Sequence, residues 1–226
     1  MVPLSKSNSS LYEFGSSEAV VRNVQRRFVP YFNGAGPVLD IGCGRGIFLQ
    51  LLAQAGKQSV GIDCSDESLD FCRQKGFHAE KSDALTFLRS TNQRFGGIFC
   101  SHVIEHLPYE QADEMLQLCF RALSPEGVLL IVTPNPEDLA IISEIFWLDA
   151  THVRPYPALL LRSMLQTNGF DVTDVRQFLG DWRMIGRRRM PGYVWRRLIL
   201  GKHYGKPNTL VVARKPPDAA SQDPKR

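Results

Sequence analysis

Asp40-Ile41-Gly42-Cys43-Gly44-Arg45-Gly46 sets a carboxylate two residues ahead of three glycines at alternate positions. Glycines so spaced let the backbone turn sharply and let a ligand come close to the N-terminus of a following helix. The loop is not a dinucleotide fingerprint, which needs glycine where Ile47 stands, nor a P-loop, which needs Gly-Lys-Ser/Thr. By itself it is compatible with a tight strand-to-helix turn, so the acids around it decide. Asp63, nineteen positions after Gly44, closes the next apolar run. There an open α/β sheet sets a carboxylate against the two hydroxyls of a ribose. Asp83 is placed either to meet an adenine edge or to cap the helix that starts at Ala84. Asp40 is placed for an ammonium group. The set suits a ligand with an adenosine, a sulfonium and an amino-acid end, and without a pyrophosphate.

The elements that must position these residues alternate along the chain. Strands are predicted over 38–41, 59–63, 77–80, 97–101 and 128–133, with helices over 47–55, 109–123 and 158–168, and one capped by Ser65 that ends before Gly76. Strands that alternate with helices mean a doubly wound, mostly parallel sheet. The last two strands, 170–177 and 209–214, lack such a crossover and fit an antiparallel C-terminal hairpin interrupted by an insertion. One domain is expected over 11–215, with a lid segment at 134–157 and a basic insertion at 180–208. The polar ends, 1–10 and 216–226, are expected to be disordered.

VLDIGCGRG, GIDCS, KSDAL, GGIFCSHVIEHLP and SPEGVLLIVTPNP resemble, in order and spacing, successive motifs of the class I, Rossmann-like methyltransferases. The resemblance covers about Tyr12 to Gln177. It implies a seven-stranded sheet and S-adenosyl-L-methionine held by Asp40, the Gly42/Gly44/Gly46 loop, Asp63, Cys64, Asp83, Ala84 and Ser101. The segments 133–137 and 146–157 are similar to a branch found beside glycosyltransferases, which implies O-methylation of a sugar in a glycan. The N-terminal YEFG departs from that branch, which carries an arginine between Phe14 and Gly15. Val103–Leu107 (VIEHL) is similar to quinone-precursor O-methyltransferases, so a small-molecule acceptor is the alternative. A non-catalytic protein that binds S-adenosylmethionine or RNA is the rival from another class.

Methyl transfer to a hydroxyl needs in-line alignment and a group to take the proton. His152, in a polar segment expected to cover the carboxyl edge of the sheet, is the first choice of base, and His106 the second. A hydrogen-bonded structural role competes for each. Arg154 and Tyr156 are the candidates for holding the acceptor, with an Arg154–Asp149 ion pair as the plain alternative. No carboxylate cluster demands a metal.

Charge is unevenly spread. Residues 1–181 hold 15 basic and 21 acidic side chains, and residues 182–226 hold 12 and 2. The basic stretch interleaves Trp182, Tyr193, Trp195 and Tyr204 with its arginines, which fits peripheral contact with an anionic membrane, a solvated lid, or, least well, nucleic acid. The longest apolar run, Val128–Val132, is too short to span a bilayer. Met1–Ser10 lacks a signal-peptide core, and the five cysteines are scattered. These features imply a cytoplasmic protein, with the inner membrane face as a peripheral site.

Overall fold

The computed structural model describes residues 17–180 and 190–218. The expected disordered N-terminus, the Phe14-Gly15 departure, most of the C-terminal tail and the run of three arginines at 187–189 lie outside those residues. The order of elements is α1 (Glu18–Gln25), a 3₁₀ turn (Arg26–Tyr31), β1 (Val38–Ile41), α2 (Ile47–Gln54), β2 (Ser59–Asp63), α3 (Asp66–Gln74), β3 (Ala79–Lys81), α4 (Ala84–Ser90), β4 (Phe95–Ser101) and α5 (Tyr109–Ala122). There follow β5 (Leu123–Pro134), α6 (Leu139–Ser143), α7 (Ala158–Thr167), β6 (Asp171–Phe178), α8 (Met190–Leu200) and β7 (Asn208–Arg214).

The seven strands form one sheet in the order β3-β2-β1-β4-β5-β7-β6. β1 pairs in parallel with β2 and β4, and β4 with β5, whereas β7 runs antiparallel between β5 and β6. The final strand thus slots inside the sheet, as the hairpin expectation required. All four residues of β1 are buried, as in a strand covered on both faces. The two-residue alternation divides the interior into two cores. Leu39, Ile41, Ile98, Cys100, Leu129, Ile131, Val211 and Ala213 face α4, α5 and α7. Val38, Phe99, Leu130, Val132, Leu210 and Val212 face α1 and α2, where Phe48 stacks on Phe99 with ring centres 4.0 Å apart.

Several boundaries differ from the sequence expectation. The fifth strand was expected from residue 128, yet β5 begins at Leu123, which pairs with Phe95 beyond an irregularity in the ladder. Within this added stretch Glu126 has a left-handed backbone, φ 62°. β3 begins at Ala79 rather than Phe77, because Phe77 packs with Leu49, Leu69 and Cys72 beneath the glycine loop. Among the described residues no helix is long and apolar enough to cross a membrane.

Candidate functional site: a glycine cradle and a histidine edge

β1 delivers the glycine loop to the carboxyl edge of the sheet, and α2 leaves from it. Gly42, Gly44 and Gly46 all have left-handed backbones, φ 71°, 50° and 74°. Their surroundings separate their tasks. A Cβ on Gly42 would stand 2.5 Å from Val103 Cγ2, and one on Gly46 would stand 2.8 Å from Cys72 Sγ. These two glycines make room for the protein's own packing. A Cβ on Gly44 would meet nothing within 4 Å. Gly44 is therefore where the loop can admit a ligand against its backbone.

Three carboxylates surround this opening. Asp63, at the end of β2, accepts from the Gly44 N–H through Oδ2 and from the Ser65 N–H through Oδ1, both at 2.8 Å. Each oxygen keeps a second lone pair, so the pair can still receive two hydroxyls. Asp40 is 2 % exposed, and its Oδ2 has no hydrogen-bond partner. Burial, then Cys72 and Asp63 nearby, push its carboxyl well above the usual carboxylate range. A buried, unpartnered carboxylate oxygen beside an open backbone cradle fits a ligand's ammonium group, and on these grounds S-adenosylmethionine suits the residues present. Asp83 caps α4: its Oδ1 accepts from the Thr86 N–H at 2.9 Å, and that bond holds its carboxyl below the usual range. Ala84 is buried behind it, whereas Cys64 is exposed with its thiol toward the Ser82 carbonyl at 3.8 Å.

Ser101 ends β4 and lines a cavity of about 60 Å³ with His102, Gln25, Asn208 and residues of α1. Gln25 Oε1 is buried there without a partner. Nothing in the sequence singled out Gln25, because a lone glutamine on an amphipathic helix carries no chemical pattern. His102 has a left-handed backbone, φ 56°, an uncommon state for a non-glycine residue. Its Nδ1 lies 3.1 Å from Oε1 of Glu105, which is fully buried and whose Oε2 accepts from Thr133 Oγ1 at 3.0 Å. Burial pushes the Glu105 carboxyl up, but its hydrogen bond to His102, the nearby His102 and His106 rings and its own backbone N–H together outweigh it and leave it below the usual range.

The two candidate bases come together from positions 46 residues apart. The His106 and His152 rings have centres 4.8 Å apart. Their immediate partners distinguish them. Thr151 Oγ1 donates to Asp149 Oδ1 at 2.6 Å, so its one proton is committed. His106 Nδ1 stands 2.9 Å from that hydroxyl oxygen and 3.2 Å from the Thr151 carbonyl. Facing two acceptors, Nδ1 must carry a ring proton, so that in the neutral ring Nε2 holds the lone pair. His152 instead directs Nδ1 to the Phe146 carbonyl at 2.6 Å and has Nε2 3.7 Å from Asp149 Oδ2. Both of its nitrogens face protein oxygens. The fold also gathers ligand atoms of Glu105, His106 and His152 within 4.8 Å of one another, a grouping invisible in the sequence, although both Glu105 oxygens already have partners.

The two residues expected to hold the acceptor differ. Tyr156 is fully buried, and its hydroxyl donates to the Leu107 carbonyl at 2.8 Å. Burial pushes its phenol up to about 12. Its burial and this hydrogen bond make it a support for the wall on which Arg154 lies. Arg154 lies over the rings of Tyr109 and Tyr156 at 5.6 and 5.2 Å, on the wall of an open groove of about 610 Å³. Asp149, its expected ion-pair partner, accepts from Thr151 Oγ1 and lies 3.7 Å from His152 Nε2.

Residues 14–175 match the family model described as a methyltransferase domain. The ubiquinone biosynthesis O-methyltransferase of Actinobacillus pleuropneumoniae is 35 % identical over 111 residues, 43 % of this chain and 45 % of that protein. The mitochondrial ubiquinone biosynthesis O-methyltransferase of Bos taurus is 27 % identical over 172 residues, 64 % of this chain and 45 % of that protein. The chain thus spans about half the length of these curated relatives. A solved S-adenosylmethionine-dependent methyltransferase from Archaeoglobus fulgidus superposes with a TM-score of 0.76 at 31 % identity, over 90 % of this chain and 96 % of that one. The fold is also that of the magnesium protoporphyrin IX methyltransferase of Synechocystis with bound S-adenosylmethionine, with a TM-score of 0.59 at 16 % identity, over 87 % of this chain and 80 % of that one. By motif, sheet order and cofactor cradle, the chain belongs to the class I S-adenosylmethionine-dependent methyltransferases.

Proposed function

We propose that the chain methylates a hydroxyl oxygen of an acceptor that enters at the carboxyl edge of the sheet, with His106 as the base. The observation that carries this reading is the tautomer imposed on His106 by Thr151 and Asp149. S-adenosylmethionine supplies an electrophilic methyl group. Asp40, Gly44 and Asp63 hold and orient it, and Ser101 borders the space beyond. His106 Nε2 takes the proton that the acceptor hydroxyl loses as its oxygen bonds the methyl carbon and the carbon–sulfur bond breaks. His152 is then a positioning residue that packs on His106 and, with Asp149, fixes the lid.

The acceptor favoured here is a phenolic hydroxyl. An imidazole base removes a proton far more readily from a phenol of pKa ~10 than from a sugar hydroxyl, which is a weaker acid still. The O-methyltransferases of ubiquinone biosynthesis among the relatives support the same class. The sugar hydroxyl of the glycan expectation is the second reading, favoured by the exposed Tyr109 ring and Arg154 in the open groove. Labelled S-adenosylmethionine offered with dihydroxyphenols, with and without an isoprenoid tail, and with lipid-linked sugars separates the two. Label in a base-stable aryl ether is expected. Label on sugar alone would transfer the assignment to the second reading. Label in a base-labile ester, or on nitrogen, would overturn hydroxyl transfer altogether. A chelator added to the same assay should leave the rate unchanged; a loss restored by a divalent cation would make Glu105, His106 and His152 a ligand set instead.

A further inference from the structure

The large hydrophobic side chains left exposed among the described residues all lie on segments at one end of the molecule, where the parallel strands finish: the start of α5, the stretch 139–159, and α8. α8 has no buried residue. Its partly covered residues are Met190, Tyr193, Arg197 and Leu200, the three-and-four spacing of a single helical stripe. That stripe turns back on its own chain. The Tyr193 hydroxyl donates to the Gly205 carbonyl at 3.2 Å, and Arg197 donates to the carbonyls of Gly201 and Tyr204. The opposite stripe is apolar and open to solvent: Val194, Trp195, Leu198 and Ile199 are 48, 65, 74 and 64 % exposed.

The segment that follows α8 is fixed to the loop after β5. Lys206 N–H donates to Asp138 Oδ2 and Asn135 Nδ2 donates to the Lys206 carbonyl, both at 2.8 Å. That loop leads into the segment bearing exposed Trp147 and Leu148. Charge narrows what can cover this end. From Trp182 to Pro217 the sequence has ten Lys and Arg and no Asp or Glu. RNA phosphates would satisfy the cations but leave Leu198 and Ile199 in water. An interfacial helix with tryptophan and aliphatic residues on one stripe, surrounded by cations, satisfies both features at an anionic lipid surface.

We infer that α8 docks this protein onto an anionic phospholipid surface, its Val194/Trp195/Leu198/Ile199 stripe entering the headgroup boundary, so that the acceptor edge faces the bilayer. The surface is independent of which hydroxyl is methylated. The test is flotation of the full chain with phosphatidylglycerol-containing vesicles and with pure phosphatidylcholine vesicles, at low and high salt. Recovery with the anionic vesicles at low salt is expected. The Trp195→Ser/Leu198→Ser variant, whose changes are at exposed sites, should lose on the order of tenfold in recovery at either salt. Arg196→Gln/Lys202→Gln should weaken binding at low salt and make it less sensitive to salt. Equal, negligible recovery with both lipids would overturn the inference. So would an apolar-stripe variant that floats like the parent, or capture by single-stranded RNA in place of vesicles. Circular dichroism and S-adenosylmethionine binding on the same samples show that each variant is folded, and keep failure of docking distinct from failure of the methyltransferase reading.

Discussion

The cofactor cradle and the acceptor edge lie side by side on one end of the sheet but are built differently. The cradle comes from one continuous stretch, Asp40 to Asp83, in which β1 and β2 pair residue by residue and backbone groups do much of the holding. The acceptor edge presents side chains, brought from after β4 and from the 145–154 segment, and is locked by Val153 N–H donating to the Glu105 carbonyl at 2.9 Å. A backbone cradle leaves its record in glycines, because few other residues tolerate those dihedrals. A side-chain constellation leaves no spacing at all. The same contrast explains how one cofactor site can serve many acceptors, since the edge can change without disturbing the loop.

The sharpest way to break this comparison is to remove each histidine in turn. His106→Ala should lower kcat on a hydroxyl acceptor ~10²–10⁴-fold, with S-adenosylmethionine affinity unchanged. His152→Ala should cost less than ~10-fold, because it acts through packing and orientation. Steady-state kinetics with parallel calorimetry reads both, and the reverse ranking would return the base to His152. A smaller effect is expected in the cradle. Asp63→Ala takes away the acceptor of Gly44 and Ser65 and, on the proposed reading, that of the ribose; hydrogen bonds to a charged group contribute ~1.5–3 kcal/mol each, so cofactor affinity should fall at least ~10-fold. Because Asp63 also ties the loop together, Asp63→Asn serves as the partial rescue, and an unchanged dissociation constant in both variants would remove Asp63 from the site.

Much of the architecture was legible in the residues. The four runs ending at Ile41, Asp63, Ser101 and Thr133 are apolar because both faces of those strands are covered, and Ser65 announces α3 by accepting from the Ser68 N–H at 3.3 Å. The hairpin was legible because no crossover helix of ordinary pattern separates its strands. Trp195–Leu200 is apolar enough to form one face of a short helix, although the other half of α8, Met190–Val194, is hidden by Pro191 and Gly192. The acceptor edge was not legible in the same way. His152 outranked His106 in the sequence because its polar surroundings suggested access to substrate, but the order of preference rests on where two ring nitrogens point. Tyr156 carries a hydroxyl among exposed-looking prolines, yet the chain needed its ring as core beneath Arg154. Asp138 and Asn135, buried and bound to the segment after α8, had nothing local to mark them.

The smallest effect belongs to Asp83, where cradle and scaffold share one carboxylate. Its Oδ1 caps α4, and removing a cap of this kind costs ~0.5–2 kcal/mol. Its folded pKa is depressed by the Thr86 N–H, so the stability it contributes is present above the ordinary aspartate range and is lost as pH falls through the lowered value. Asp83→Ser keeps an oxygen for the cap but is too short to reach an adenine edge, whereas Asp83→Ala gives up both. If Asp83 touches the adenine, both variants should lose cofactor affinity by ~3- to 10-fold, while only the alanine variant loses melting temperature, by a few degrees. The melting-temperature gap between the parent and Asp83→Ala should narrow as pH drops below the aspartate range. Should Asp83→Ser bind S-adenosylmethionine like the parent, Asp83 is a cap and nothing more, and the adenine edge is held by the backbone around Ala84, which would make the cradle still more a matter of main chain than of side chains.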